Sequence, residues 1–189
     1  MPTLLLAILC CFPSIENNTA QHIAEPTTVQ VTIEHQGGVE LDKKQFVQYV
    51  VDPTLKKLGL YSNNASNLLV MIAAHESQKG HYIIQTTGHA KGVYQMEDAT
   101  HDDILRWLAV KKPELYRSIT GLVAGEPTAM QMVTNLEYAT AMARAFFLRF
   151  PEEIPTYPVS QSNYAKKRWN TYQGKATPGD YLLAYQSWK

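Results

Sequence analysis

The sequence predicts an α+β protein, predominantly helical, and three observations carry that expectation. Apolar residues make up 45% of the 189 positions and charged ones 18%, a globular balance with enough chain to bury a core. A single segment, TTVQVTIEH at 27–35, alternates Val29, Val31 and Ile33 with polar residues, the period of a half-buried strand. From Leu41 onward the apolar residues recur at helical spacing, interrupted chiefly by a Gly-punctuated stretch between Gly80 and Glu97.

The elements follow in order. Residues 1–40 are expected to form an N-terminal extended arm and 41–189 the folded domain. The arm opens on MPTLLLAILCCFPS, whose apolar run from Leu4 to Phe12 is too short to span a bilayer. It lacks the Lys or Arg that precedes a secretory signal, and Leu9 is bulky for a lipid-attachment signal. The expectation is a buried or oligomer-contacting arm, with a degenerate export or lipid signal as the alternative. Residues 14–27 read as a linker, and Gly37-Gly38 ends the strand. Asp42 is a natural N-cap for a helix presenting Phe46, Val47, Val50 and Val51, expected to break at Asp52-Pro53. A second short helix then runs to Leu58 with Gly59 as its stop.

Ser62 caps the next helix, whose stripe holds Leu68, Leu69, Ile72 and Glu76. Segments Tyr82–Thr86 and Gly92–Met96 are expected to pair as a small β-hairpin around Gly88. Helical pattern resumes after Asp98 or Thr100 and runs to about Val110, and Pro113 starts a short helix. Residues 121–128 form a loop, and 129–150 is expected to be the longest helix. A Pro-rich loop (151–158) and two helices split at Gly174 complete the chain.

Composition excludes some functions. Seventeen basic residues balance seventeen acidic ones, so no global field draws the chain to nucleic acid or to an anionic membrane. No transmembrane span is expected. The two cysteines, Cys10 and Cys11, are neighbours and leave the body without a disulfide, which points to folding in a reducing compartment.

The unusual stretch is AAHESQKGHYIIQTTGHAKGVYQMEDAT, residues 73–100. Glu76 continues an apolar stripe, so its stem should be buried and its carboxyl pKa raised, as a general acid near neutral pH requires. Glycoside cleavage often uses such an acid, usually with a second carboxylate across the scissile bond. No Asp or Glu occurs from Ser77 to Met96. That favours chemistry needing one carboxylate, such as non-hydrolytic peptidoglycan cleavage in which the substrate's own 6-hydroxyl attacks. Glu97 and Asp98 keep hydrolysis open.

Glu76-Ser77, followed by Gly92-Val93-Tyr94-Gln95-Met96 and Thr100, resembles the Glu-Ser … Gly-Leu-Met-Gln-Ile … Thr signature of soluble lytic transglycosylases and goose-type lysozymes. GVYQMEDATHDDILRWL, NLEYATAMARAFF and YAKKRWNTYQGKATPGDYLLAY are similar to tail-associated bacteriophage members of this lysozyme-like superfamily. The similarity covers roughly 41–186. It implies a lysozyme-like domain with its β-hairpin beside the catalytic helix, cleaving the β-1,4 bond between N-acetylmuramic acid and N-acetylglucosamine.

The resemblance makes Glu76 the acid and base, with Ser77 orienting it or its substrate. Gln95 would bond the sugar, Gly92 would admit the glycan to the backbone, and Tyr94 would line the cleft. Glu97 falls where goose-type enzymes carry an Asp that positions water. Tyr164 and Asn170 fall near a late Tyr and Asn that face the catalytic Glu. There the chain departs from the family's Ala-Tyr-Asn-Ala-Gly string, carrying NYAKKRWNTYQG instead, so the aromatic residue facing Glu76 stays open. By the same resemblance the protein would be a virion component, part of an oligomeric assembly, acting in the host cell wall or periplasm as the genome enters. Its partners would be peptidoglycan strands and, through the arm, other virion or tail proteins. The alternatives are a structural virion protein that keeps the fold with little activity, and a hydrolytic muramidase using Glu97.

No cofactor or metal is expected. HESQKGH is not His-Glu-x-x-His, because position 79 is Lys, so the two-histidine face of a zinc protease is missing. His75 should point to another face of the helix. HDD at 101–103 reads as a helix start with dipole-favourable acids. Phe146, Phe147, Met130, Met132 and Met142 read as core, and KKRW at 166–169 as a solvated face, with contact to glycan or phosphate as the alternative.

Overall fold

The structure is a computed structural model that describes residues 40–171 and 174–189. The expected strand at 27–35, the apolar start and nearly all of the arm lie outside the described residues. The described chain is predominantly helical, in the order α1 (Lys43–Phe46), α2 (Asp52–Lys57), α3 (Asn63–Glu76), α4 (Asp98–Lys111), α5 (Pro113–Thr120), α6 (Gln131–Thr134), α7 (Leu136–Phe147), α8 (Pro158–Ala165) and α9 (Pro178–Ser187). Five-residue π-helical segments follow α1 (Val47–Val51) and α8 (Lys166–Asn170).

Side chains set four of these helix starts. The Asp42 carboxylate accepts from the Gln45 amide at 2.8 Å, and Ser62 Oγ accepts from the Ala65 amide at 3.1 Å. Each satisfies a donor that the first helical turn leaves unpaired. Thr177 and Asp180 form a reciprocal capping box, with Pro178 in the first turn of α9.

Two expectations are corrected. Asp52-Pro53 does not break the chain, which stays helical from α1 through α2. A proline inside an α-helix removes a hydrogen bond and crowds the carbonyl four residues back. The wider turn Val47–Val51 accommodates Pro53, and Thr54 Oγ1 donates to the Val50 carbonyl at 2.6 Å. The expected long helix at 129–150 divides at Asn135, whose extended backbone (φ −119°, ψ 96°) ends α6. Its side chain accepts from the Tyr138 amide at 2.8 Å and so starts α7. Among the described residues the longest helices are therefore α3 and α4, with 14 residues each.

The segment between α3 and α4 is less regular than a hairpin of two strands. Single antiparallel bridges join Ile84 to Lys91 and Lys91 to Met96. Between the latter pair the chain turns tightly, with positive φ at Gly92 (73°) and Gln95 (48°). The turn leaves too few extended residues for a ladder.

Helix α3 is the centre of the core. Leu68, Leu69, Val70, Met71, Ile72, Ala73 and Ala74 are all buried, so the helix is enclosed on every face rather than along one stripe. It packs on α7, α8 and α9. Each large side chain among them contributes about 1.5–3 kcal/mol by leaving water. This enclosure holds the end of α3, and with it Glu76, in a fixed place. Among the described residues no helix is long and apolar enough to cross a membrane.

Candidate active site

Glu76 is the last residue of α3, and the chain reverses immediately after it. Ser77 is wholly buried; its hydroxyl donates to the Ala73 carbonyl at 2.9 Å and accepts from the Gly80 amide at 2.9 Å. Gln78, Lys79 and Gly80 then take positive φ in succession (49°, 62° and 85°). For Gln78 and Lys79 this backbone costs roughly 1–2 kcal/mol each. The reversal carries the following segment across the end of α3 and forms one side of a cleft.

That cleft has a volume of about 690 Å³. Glu76, Gln95 and Glu97 line it together with Asn170, which joins four of the residues singled out in the sequence. The rest of the lining is mainly aromatic, amide and hydroxyl: Tyr82, Phe146 and Trp169, with Gln85, Thr86, Thr100 and Thr171. Among the lining residues the carboxylates are Glu76 and Glu97, and none is Lys or Arg. Asp98, the other candidate acid, is held by Lys91 at 2.5 Å.

Burial pushes the Glu76 carboxyl up to about 7, and a hydrogen bond from the Tyr181 hydroxyl opposes the rise. The negative end of the α3 dipole also disfavours charge at this position. A carboxyl poised near neutrality can release a proton and take one back. The Tyr181 phenol is itself displaced far upward by burial and by the Glu76 charge, so it stays protonated and serves as a donor. Asn170, on the cleft wall, accepts from Lys166 Nζ at 2.8 Å. His75 is half-buried with its ring 4.2 Å from that of Tyr181, and burial lowers its pKa. It therefore lies against α9, beside the carboxylate's partner.

Gln95 is held in a sparsely populated backbone conformation at the cleft wall. Its Nε2 donates to the Gly92 carbonyl at 2.8 Å. Such strain persists only where surrounding contacts over-determine it, here the bridges on either side of the turn.

The other sequence candidates do not line the cleft. Ser77 is turned into the backbone reversal described above. Gly92 faces the protein: a Cβ there would stand 2.5 Å from the Met132 carbonyl oxygen, so the glycine serves packing of the turn on α6. Tyr94 is 1% exposed and its hydroxyl meets Thr140 Oγ1 at 3.1 Å inside the core. Tyr164 is buried against the Phe147 ring, with centroids 5.6 Å apart.

Several cleft residues were not singled out from the sequence. Trp169, Tyr82 and Phe146 line the cavity, and the buried Tyr181 meets Glu76 without lining the cleft itself. Tyr181 had a signal: it is the buried residue of α9 and follows the capping-box Asp180 directly. KKRW is only partly a solvated face. Trp169 is half-buried, stacks on Phe147 with an interplanar angle of 23°, and reaches the cleft. Phe146 is a core residue that also lines the cleft, whereas Met130 is exposed.

The remaining histidine of interest, His101, is a satisfied core residue. It bonds Tyr138 Oη at 2.7 Å and Asp102 Oδ1 at 2.8 Å. Among the described residues no three His, Cys, Asp or Glu side chains converge as a metal site. No family model, curated protein or solved structure matches the chain.

Proposed function

We propose that the chain is a peptidoglycan-cleaving lytic transglycosylase with a lysozyme-like fold, acting as a phage virion component that opens the host wall locally during genome delivery. The observation that carries this reading is Glu76: a carboxyl raised to about 7, set in a cleft of about 690 Å³. Aromatic faces and amides are the groups that hold a neutral sugar, through apolar contact with its C–H faces and hydrogen bonds to hydroxyl and acetamido groups.

In this reading protonated Glu76 gives its proton to the glycosidic oxygen, and the bond from that oxygen to C1 of the muramic acid breaks. The 6-hydroxyl of the same sugar attacks C1 and loses its proton to the Glu76 carboxylate. The products are a 1,6-anhydro end and a free 4-hydroxyl on the neighbouring strand, and Glu76 is again protonated. One carboxylate suffices for both transfers. Residues 1–40 supply the arm that docks the enzyme on other virion proteins.

A second reading has its own observation. Glu97 stands at the N-cap position of α4 with its side chain making no capping bond, is exposed, and lines the same cleft, where it would serve a hydrolytic muramidase by positioning water. Two substitutions separate the readings. Glu76→Gln removes glycan release by about a hundredfold or more with the fold intact. Glu97→Gln leaves release within a few-fold of wild type if the substrate's own hydroxyl is the nucleophile. A loss of about a hundredfold at Glu97 assigns the hydrolytic route instead. Near-wild-type release by Glu76→Gln removes that residue from the chemistry.

A further inference from the structure

Residues 40 and 41 lie against the turn that follows Glu76. Leu41 is gripped on both sides of its backbone: its amide donates to the Lys79 carbonyl at 2.9 Å, and its carbonyl accepts from Trp188 Nε1 at 2.7 Å. Trp188, at the end of α9, is itself held by stacking on Phe46, with ring centroids 5.6 Å apart. Glu40 Oε1 adds an ion pair with Lys79 Nζ at 3.4 Å, partly exposed and so a minor contribution.

The Leu41 side chain covers the turn. A Cβ at Gly80 would stand 2.7 Å from both Cγ and Cδ1 of Leu41, so the leucine rests directly on the bare backbone of the glycine. Gly80 ends the run of positive φ that passes through Gln78 and Lys79. Such a backbone persists only where surrounding contacts over-determine it. From within, the Lys79 amide donates to the Ala74 carbonyl at 3.2 Å and the Gly80 amide to Ser77 Oγ at 2.9 Å. Leu41 supplies a hold from outside.

The turn leads straight into the cleft wall. The Tyr82 amide donates to the Ser77 carbonyl at 3.0 Å, and the Tyr82 carbonyl accepts from Gln95 Nε2 at 3.4 Å. The next carbonyl, that of Ile83, accepts from the Gly92 amide at 2.8 Å. Tyr82 and Gln95 line the cleft with Glu76. Contacts therefore run without a break from Leu41, through the turn, to the wall.

We infer that Leu41 is a positioning residue for the cleft, clasping the Gln78–Gly80 reversal so that the wall carrying Tyr82 keeps its place on the cavity it shares with Glu76. The consequence for glycan cleavage rests on the reading of Glu76 as the reacting acid; the clasp itself does not.

The test is amide hydrogen exchange on the full chain, followed residue by residue by NMR. Leu41→Ala should speed exchange at the Gly80 and Tyr82 amides by about tenfold or more beyond any change at Met71 and Ile72, whose amides in the middle of α3 report global opening. Val51→Ala, a core truncation outside the turn and the cleft, should speed all four amides alike. Leu41→Met keeps a side chain over Gly80 and should restore slow exchange. Where Leu41→Ala fails to fold, Trp188→Phe removes the bond to the Leu41 carbonyl, keeps a ring on Phe46, and should give a smaller rise at the same two amides. Gly80→Ala should be less damaging in the Leu41→Ala background than in wild type, because the side chain it strikes is gone. If glycan release is present, Leu41→Ala should raise KM by about threefold or more with a smaller change in kcat, since the displaced wall contributes binding, and Leu41→Met should restore it. Exchange at Gly80 and Tyr82 that rises no more than at Met71 and Ile72 overturns the inference. So does faster exchange with both kcat and KM unchanged. The exchange reads the same whether or not the protein cleaves peptidoglycan, so its failure is distinct from failure of the proposed activity.

Discussion

Replacing Glu76 by Gln should make the protein more stable, but only at neutral and alkaline pH. The folded-state carboxyl is raised from its ordinary 4.5 to about 7, while in the unfolded chain it titrates near the ordinary value. Between these two pH values the native state holds a proton that the unfolded state has released, so stability falls as pH rises through the window. The interval is about two and a half pH units, which at 1.36 kcal/mol per unit sets a ceiling of about 3 kcal/mol. Gln cannot ionise, yet it retains an oxygen to accept from Tyr181. The variant should therefore unfold close to wild type at about pH 4 and be up to about 3 kcal/mol more stable at about pH 8. For a domain of this size the difference is roughly 6–12 °C in Tm. Thermal or urea unfolding followed by circular dichroism at the two pH values measures it. An equal effect of Glu76→Gln at both pH values, or destabilisation at the higher one, would show that the carboxyl is not held against ionisation.

Other substitutions test the placement of the motif residues. Gly92→Ala must adopt φ near 73° and set its Cβ against the Met132 carbonyl; it should lose roughly 2–4 kcal/mol in urea unfolding. Tyr94→Phe removes a buried hydroxyl from Thr140, which keeps its bond to the Leu136 carbonyl. It should cost about 1 kcal/mol and leave glycan release unchanged, whereas a large loss of release at full stability would return Tyr94 to the cleft. Tyr181→Phe deletes the donor to Glu76, and the pH profile of release should move upward by about one pH unit.

The parts of the fold legible in the sequence were those decided locally. Asp42 and Ser62 precede their helices with the side-chain oxygens that caps require, and Gly59 ends α2 with the positive φ expected of a glycine stop (66°). Pro53 misled because its effect depends on whether neighbouring packing supports a wider turn, and no local pattern records that. Asn135 misled because apolar residues flank it at helical spacing on both sides, while the break is one residue wide. At the site, Glu76 was legible because a carboxylate on an apolar stripe is chemically anomalous. Ser77 and Tyr94 were read from their position along a motif, but one residue of helix rotation turns Ser77 away from Glu76, and Tyr94 points from its turn into the core. Tyr181 meets Glu76 from 105 residues away, a separation that neither periodicity nor spacing can bridge.

The most direct test of the central claim is product analysis. Purified protein incubated with peptidoglycan, with released fragments resolved by mass spectrometry, should yield muropeptides ending in 1,6-anhydromuramic acid, and Glu76→Gln should yield none. Fragments with reducing ends, heavier by one water, would contradict the transglycosylase reading and assign hydrolysis. No release by wild-type protein would contradict enzymatic cleavage altogether.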